Sequence, residues 1–196
     1  MVLADSINAD CALIFDGMSI RKAVLSNPAL GCMEGFVNLG EGIIPCNDDE
    51  DDDDTLASEA LIFMISALRS HWKYPIGYVF SNKLKEDPQY SLVCRALDSA
   101  AEAGLNLKTV TCDGTATNFS TMKKFGCELV STEEELNGLF VYNGRSYLFT
   151  PDMPHNLKLG RNALSDMKVF IDGDGRKIEW KFIYFLHQET NCQRTI

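Results

Sequence analysis

Three aspartates in this sequence follow apolar stretches and have the chemistry to bind a hard metal ion together. They are Asp16 after residues 11–15, Asp113 after residues 107–112, and Asp152 after residues 146–150. Carboxylates that meet at one edge of a sheet repel each other unless their pKa values shift or a cation neutralises them. Oxygen ligands of this kind suit Mg²⁺ or Mn²⁺. Two such ions can activate a nucleophile and stabilise the leaving oxygen of a phosphodiester.

Each of these acids also has a simpler structural interpretation. Asp16 and Asp113 both precede glycine, and Asp-Gly is a common turn. Asp152 lies where a helix N-cap or a proline-containing turn would place an acid. His155 follows a proline in a polar turn, where a histidine usually serves as a structural hydrogen-bonding residue. Taken one at a time, the acids therefore favour turns and caps over a metal site.

The surrounding elements alternate between strands and helices. We expect helices at 56–72, 87–103, 118–124 and 152–164, a helix start at 131–135, and an amphipathic segment at 180–187. We expect strands at 11–15, 35–40, 76–80, 107–112, 139–142 and 146–150, with an Asn143-Gly144 hairpin and a turn at 172–175. This order predicts an α/β fold with a mixed sheet flanked by helices.

Composition limits the class of protein. The chain has 196 residues, of which 45% are hydrophobic and 23% charged, as in a globular domain. No apolar run is long enough to cross a bilayer, and the N-terminus lacks the basic region of a signal peptide. The seven cysteines are odd in number and contain no Cys-x-x-Cys pair, which indicates reduced thiols inside the cell.

The negative charge is concentrated in one run. The net charge is −10, and residues 48–54 supply seven acids, so the remainder of the chain carries only −3. Such a run is typical of a solvated loop, here predicted over residues 41–55. We expect no strong nucleic-acid binding from net charge alone, although the weakly charged remainder is compatible with DNA.

Five motifs occur in one order along the chain. They are Leu-Ile-Phe-Asp-Gly-Met-Ser-Ile at 13–20, Gly-Phe-Val-Asn-Leu-Gly at 35–40, Trp-Lys-Tyr-Pro-Ile-Gly-Tyr at 72–78, Thr-Cys-Asp-Gly at 111–114 with Asn118, and Asp-Met-Pro-His-Asn-Leu-Lys at 152–158 with Arg161-Asn162. Together they resemble the RNase H-like domain of P-element-type DNA transposases, which include a vertebrate THAP-domain relative. The resemblance extends over about residues 9–190.

The resemblance implies a five-stranded RNase H-like mixed sheet and a DDE/D site that binds Mg²⁺ or Mn²⁺. Asp16 and Asp113 match the first two acids and are the expected catalytic and metal-binding residues. Asp152 is the expected additional metal ligand, and Asn118, His155 and Lys158 are expected structural or auxiliary residues. The implied reaction is cleavage and strand transfer at transposon ends. The implied partners are DNA and further copies of the protein, in the nucleus and without a membrane.

The resemblance also implies a domain organisation. We expect an N-terminal extension at 1–8, the first part of the RNase H-like domain at 9–165, and the start of the region leading into a GTP-binding insertion at 166–196. GTP binding would require that insertion. The family's third acid, a glutamate, lies beyond it, and we expect this chain to stop before it. The alternatives are a catalytically inactive transposase remnant that acts as an interaction module and, more remotely, a small-molecule α/β enzyme.

Overall fold

The computed structural model describes residues 10–29, 31–40, 55–129 and 136–192. The predicted extension at 1–8, the acid run at 48–54 and the helix start at 131–135 lie outside these ranges. Within them the helices are α1 (Glu86–Glu102), α2 (Ala116–Lys124), α3 (Met153–Met167) and α4 (Trp180–Cys192). The strands are β1 (Asp10–Ser19), β2 (Leu25–Asn27), β3 (Cys32–Glu34), β4 (Glu59–Ala67), β5 (Lys73–Ser81), β6 (Asn106–Cys112), β7 (Leu139–Tyr142), β8 (Arg145–Pro151), β9 (Val169–Ile171) and β10 (Lys177–Glu179).

Six of these strands form one mixed sheet in the order β5-β4-β1-β6-β8-β7. The strands β1, β6 and β8 are parallel neighbours, whereas β4, β5 and β7 pair antiparallel with theirs. The predicted α/β class with a mixed sheet is therefore confirmed. The sheet has six strands, one more than the five that the resemblance implies. The turn at Asn143 and Gly144 joins the edge strand β7 to β8 as an antiparallel hairpin. Both turn residues have positive φ, 47° and 72°, as a tight hairpin turn of this type requires.

The helix predicted at 56–72 is wrong, because this segment forms the strand β4. Its residues are apolar nearly throughout, and a short apolar run fits a buried helix and a buried strand equally well. The structure shows an alternation of period two, in which Leu61, Phe63 and Ile65 are buried. Neighbours on both sides, β1 and β5, supply the backbone hydrogen bonds that stabilise the extended form.

The strand predicted at 35–40 is reduced to two isolated bridges. Phe36 pairs with Leu56, and Asn38 pairs with Phe80. The segment thus pairs with two different parts of the chain within three residues, and neither bridge extends into a strand ladder. At Gly35 the backbone has φ +121°, and an added Cβ would lie 2.0 Å from the carbonyl oxygen of Ala23. Only glycine fits there.

A hydrophobic core among the described residues joins the sheet to α1 and α2. It contains alternate residues of the central strands, including Leu13, Phe15 and Val110, all at most 1% exposed. The helix α1 contributes one apolar face: Leu92, Val93, Ala96, Leu97 and Ala100. Each large side chain buried in this way stabilises the fold by roughly 1.5–3 kcal/mol. The helix ends as predicted, with Gly104 at φ +76° following its last turn.

The chain divides into two compact units, Met1–Asp152 and Met153–Ile196. The described part of the second unit contains α3, α4 and the hairpin of β9 and β10. The turn predicted at 172–175 closes this hairpin, and the Asp172 carboxylate accepts hydrogen bonds from the backbone N–H groups of Asp174 and Arg176 at 3.0 and 2.8 Å. In the part of the chain that the structure describes, none of the helices combines the length and apolar character that a bilayer crossing requires.

Candidate active site

Two of the predicted acids lie near the carboxyl ends of the neighbouring parallel strands β1 and β6. The ladder between β1 and β6 pairs Ile14 with Thr111. Asp16 follows Ile14 by two residues within β1, and Asp113 follows Thr111 by two residues, directly after the end of β6. Both acids therefore lie near the carboxyl ends of two neighbouring parallel strands, whose backbones are about 4.8 Å apart. Asp16 is exposed and Asp113 is half-buried.

The third acid, Asp152, follows the next parallel strand. The ladder between β6 and β8 pairs Thr111 with Thr150, whose hydroxyl oxygens are 2.7 Å apart. Two residues further on, Asp152 donates its backbone N–H to the carbonyl oxygen of Cys112 at 2.9 Å. The backbone thus places Asp152 beside Asp113 at the carboxyl end of the sheet.

Asp113 is held by its own turn and by α2. Its Oδ1 accepts hydrogen bonds from the Thr115 backbone N–H at 3.2 Å and from Asn118 Nδ2 at 2.5 Å. Its Oδ2 accepts no hydrogen bond from any residue in the described ranges. One oxygen is therefore fixed by the protein, while the other remains available to a ligand. Asn118, predicted as an auxiliary residue, supplies one of these contacts.

The buried thiol of Cys112 is influenced by the negative charges of both acids. Burial raises the pKa of its thiol, and the carboxylates of Asp113 and Asp16 raise it further. Both carboxylates therefore act on the same buried thiol at the end of β6. A bound cation would reduce this potential, since it would neutralise the charges that produce it.

A cleft of about 590 Å³ opens beside Asp113. Its walls come from the ends of β1 and β4, the start of α2, and the segment from β5 into α1. Sequence reasoning missed its charged residues, which are Glu59, Lys83, Lys85 and Glu86. These residues lie in no motif, and only the packing of the strands and helices brings them to Asp113.

The ligand types fit a hard divalent cation. Asp16 and Asp113 offer carboxylate oxygens, which suit Mg²⁺ or Mn²⁺ with water or substrate completing the coordination. Across the described ranges, however, no group of three or more His, Cys, Asp or Glu side chains lies close enough to hold a metal ion. The side chain of Asp152 therefore does not complete such a group, even though its backbone adjoins Asp113.

His155 and Lys158 lie on α3 in the second unit. They are three residues apart and therefore share one side of the helix. His155 is half-buried and Lys158 is exposed. Their auxiliary role stays a prediction.

Known proteins resemble this chain in sequence and in fold. Residues 3–126 match the family described as TNP-like, RNase H N-terminal domain. The chain is 26% identical over 176 residues to DNA transposase THAP9 of Homo sapiens, covering 86% of this chain and 18% of that protein. The structure titled Drosophila P element transposase strand transfer complex aligns with a TM-score of 0.62 at 18% identity. That alignment covers 93% of this chain and 35% of the other.

Proposed function

The chain belongs to the TNP-like RNase H N-terminal domain family, and on this premise we propose that it supplies two metal-binding carboxylates for cleaving and joining DNA. The expected order of motifs and the matched fold agree with a P-element-type transposase domain. The observation that supports the proposal most strongly is the position of Asp16 and Asp113 near the carboxyl ends of adjacent parallel strands. Each acid lies two residues after one of the paired residues Ile14 and Thr111.

The two carboxylates have distinct surroundings. Asp113 is preorganised, because Asn118 and the Thr115 N–H hold its Oδ1 while Oδ2 remains available to a cation. Asp16, on the exposed end of β1, offers the second carboxylate. When bound, Mg²⁺ or Mn²⁺ would supply Lewis-acid activation of the attacking hydroxyl and charge stabilisation at the leaving oxygen. The protein's contribution is to hold the oxygens in place before the substrate arrives.

The cleft suits a nucleic-acid backbone as the substrate. Lys83 and Lys85 follow β5 and line the same cleft as Asp113, so two positive side chains lie in the cleft with this acid. Lysines that contact phosphates position a strand without reading its sequence. The human relative is by name a DNA transposase, and the Drosophila structure is by title a strand transfer complex. We extend the proposal to transposon-end DNA as the partner and to the nucleus as the location.

Incubation of transposon-end DNA with the chain in Mg²⁺ or Mn²⁺ tests this function. Wild type is expected to give metal-dependent cleavage or joined products, and Asp16→Asn or Asp113→Asn to lose at least about 100-fold, as loss of central electrostatic groups does. Asp166→Asn removes an exposed acid from α3 and serves as the control for charge. A wild type without metal-dependent product would contradict catalysis and favour a non-catalytic interaction module.

A further inference from the structure

Two buried amide side chains connect α1 to Asp113. Gln89 is 3% exposed and Asn118 is 7% exposed. Gln89 Nε2 donates a hydrogen bond to Asn118 Oδ1, and Asn118 Nδ2 donates to Asp113 Oδ1 at 2.5 Å. Burying amide groups is costly unless they are hydrogen-bonded, and these bonds satisfy much of their capacity. The connection joins the first turns of α1 and α2 to the candidate active site.

The chemistry of these groups sets the direction of the bonds. An ionised carboxylate only accepts hydrogen bonds, so Asn118 must turn its amide nitrogen towards Asp113. Its oxygen then faces Gln89, which must present its own amide nitrogen. If the Asn118 amide turned over, its oxygen would face the Asp113 carboxylate and its nitrogen would face the Gln89 nitrogen. Gln89 therefore supports the orientation in which the nitrogen of Asn118, and not its oxygen, reaches Asp113.

We propose, resting on the function proposed above, that Gln89 is a positioning residue that acts on Asp113 through Asn118. It keeps Asp113 Oδ1 engaged inside the fold, so that Oδ2 is the oxygen offered to a cation. Gln89 itself touches neither the cation nor the substrate. Outer partners of this kind orient metal ligands, and their loss typically lowers metal affinity by about 10–100-fold.

The test compares Gln89→Met with wild type in the full 196-residue chain. Methionine has a similar length but no amide, so it removes the contact while filling the space. Thr121→Val is the matched control, because Thr121 is fully buried on α2 and its hydroxyl has no partner in the described ranges. NMR follows the Asn118 side-chain amide and the Asp113 carboxyl carbon, and Mn²⁺ affinity is measured by electron paramagnetic resonance.

Gln89→Met is expected to shift both NMR signals and to weaken Mn²⁺ binding by about tenfold, whereas Thr121→Val changes neither. Unchanged Asn118 and Asp113 signals in folded Gln89→Met would overturn the positioning role. If Gln89→Met does not fold, Gln89→Glu serves in its place, because glutamate keeps the shape but exchanges the amide donor for an ionised acceptor. The NMR signals of Asn118 and Asp113 then test the positioning role in the same way. Absence of Mn²⁺ binding in wild type would overturn the proposed function, while the NMR comparison would still judge Gln89.

Discussion

Replacing either member of the acid pair with asparagine is expected to stabilise the metal-free protein. Asp16 and Asp113 each lie two residues after one of the paired residues Ile14 and Thr111, and we expect their charges to repel in the absence of a cation. Asparagine keeps the size and a carbonyl oxygen that can accept the bonds now made by Asp113 Oδ1. Asp16→Asn and Asp113→Asn therefore remove the charge with little change in packing.

The strand spacing gives the size of the effect. At about 5 Å, two unit charges repel by about 0.8 kcal/mol in water and by about 3 kcal/mol at an effective dielectric of 20. Asp16 is exposed, so the lower figure applies and each variant is expected to gain about 1 kcal/mol. For a chain of this size the melting temperature would rise by about 2–4 °C. Either substitution relieves the same repulsion, so the double variant is expected to be little more stable than either single variant.

Urea denaturation of wild type, the two single variants and the double variant, at low salt and with a chelator, measures this gain in stability. Asp166→Asn is the control, because it also reduces the net charge by one from an exposed position. The gain is expected to shrink in about 1 M salt, where screening acts over only about 3 Å. Added Mg²⁺ is expected to stabilise wild type by about 1.4 kcal/mol at ten times its Kd and to leave the double variant unchanged. Two results would refute the proximity of the two carboxylates. One is an equal gain in stability from Asp166→Asn and from the Asp16→Asn or Asp113→Asn variant. The other is a double variant whose gain equals the sum of the gains of the two single variants.

Three further predictions concern the cleft, the core and the buried thiol. Lys83→Ala combined with Lys85→Ala is expected to weaken DNA binding and to reduce the slope of log affinity against log salt by about 1.4–1.8, measured by fluorescence anisotropy; an unchanged slope would remove both lysines from the DNA path. Phe15→Ala is expected to cost about 3–5 kcal/mol in urea denaturation because Phe15 is 1% exposed, and a loss below about 1 kcal/mol would contradict the described core. Burial raises the pKa of Cys112 above its ordinary 9.0, so Cys112 is expected to resist iodoacetamide at pH 8, and its contribution to stability is expected to be lost as the pH rises above about 9. Mass spectrometry that finds rapid alkylation of folded protein at Cys112 would contradict this.

The positions of the two principal acids could be predicted from the sequence because local patterns define them. Asp113 follows the β-branched residues of β6, and Asp16 follows the apolar residues of β1. Helix α1 was similarly predictable, since Asp87-Pro88 at its start and the following Gly104 are strong signals for its two ends.

Other features depend on contacts between distant parts of the chain. The segment β4 is apolar along its length, and its neighbours in the sheet, not its own residues, decide that it is extended. Gln89 is an ordinary first-turn residue of α1 by sequence, and only the approach of α2 joins it to Asn118. Lys83 and Lys85 reach the cleft for the same reason.

A titration of Mn²⁺ or Mg²⁺ into wild type and the Asp16→Asn/Asp113→Asn double variant tests the central claim most directly. Isothermal calorimetry with the folded chain is expected to show saturable binding to wild type and its loss from the double variant. Asp166→Asn is expected to bind as wild type does. Identical binding to wild type and the double variant, or undetectable binding to both, would contradict a metal site formed by Asp16 and Asp113.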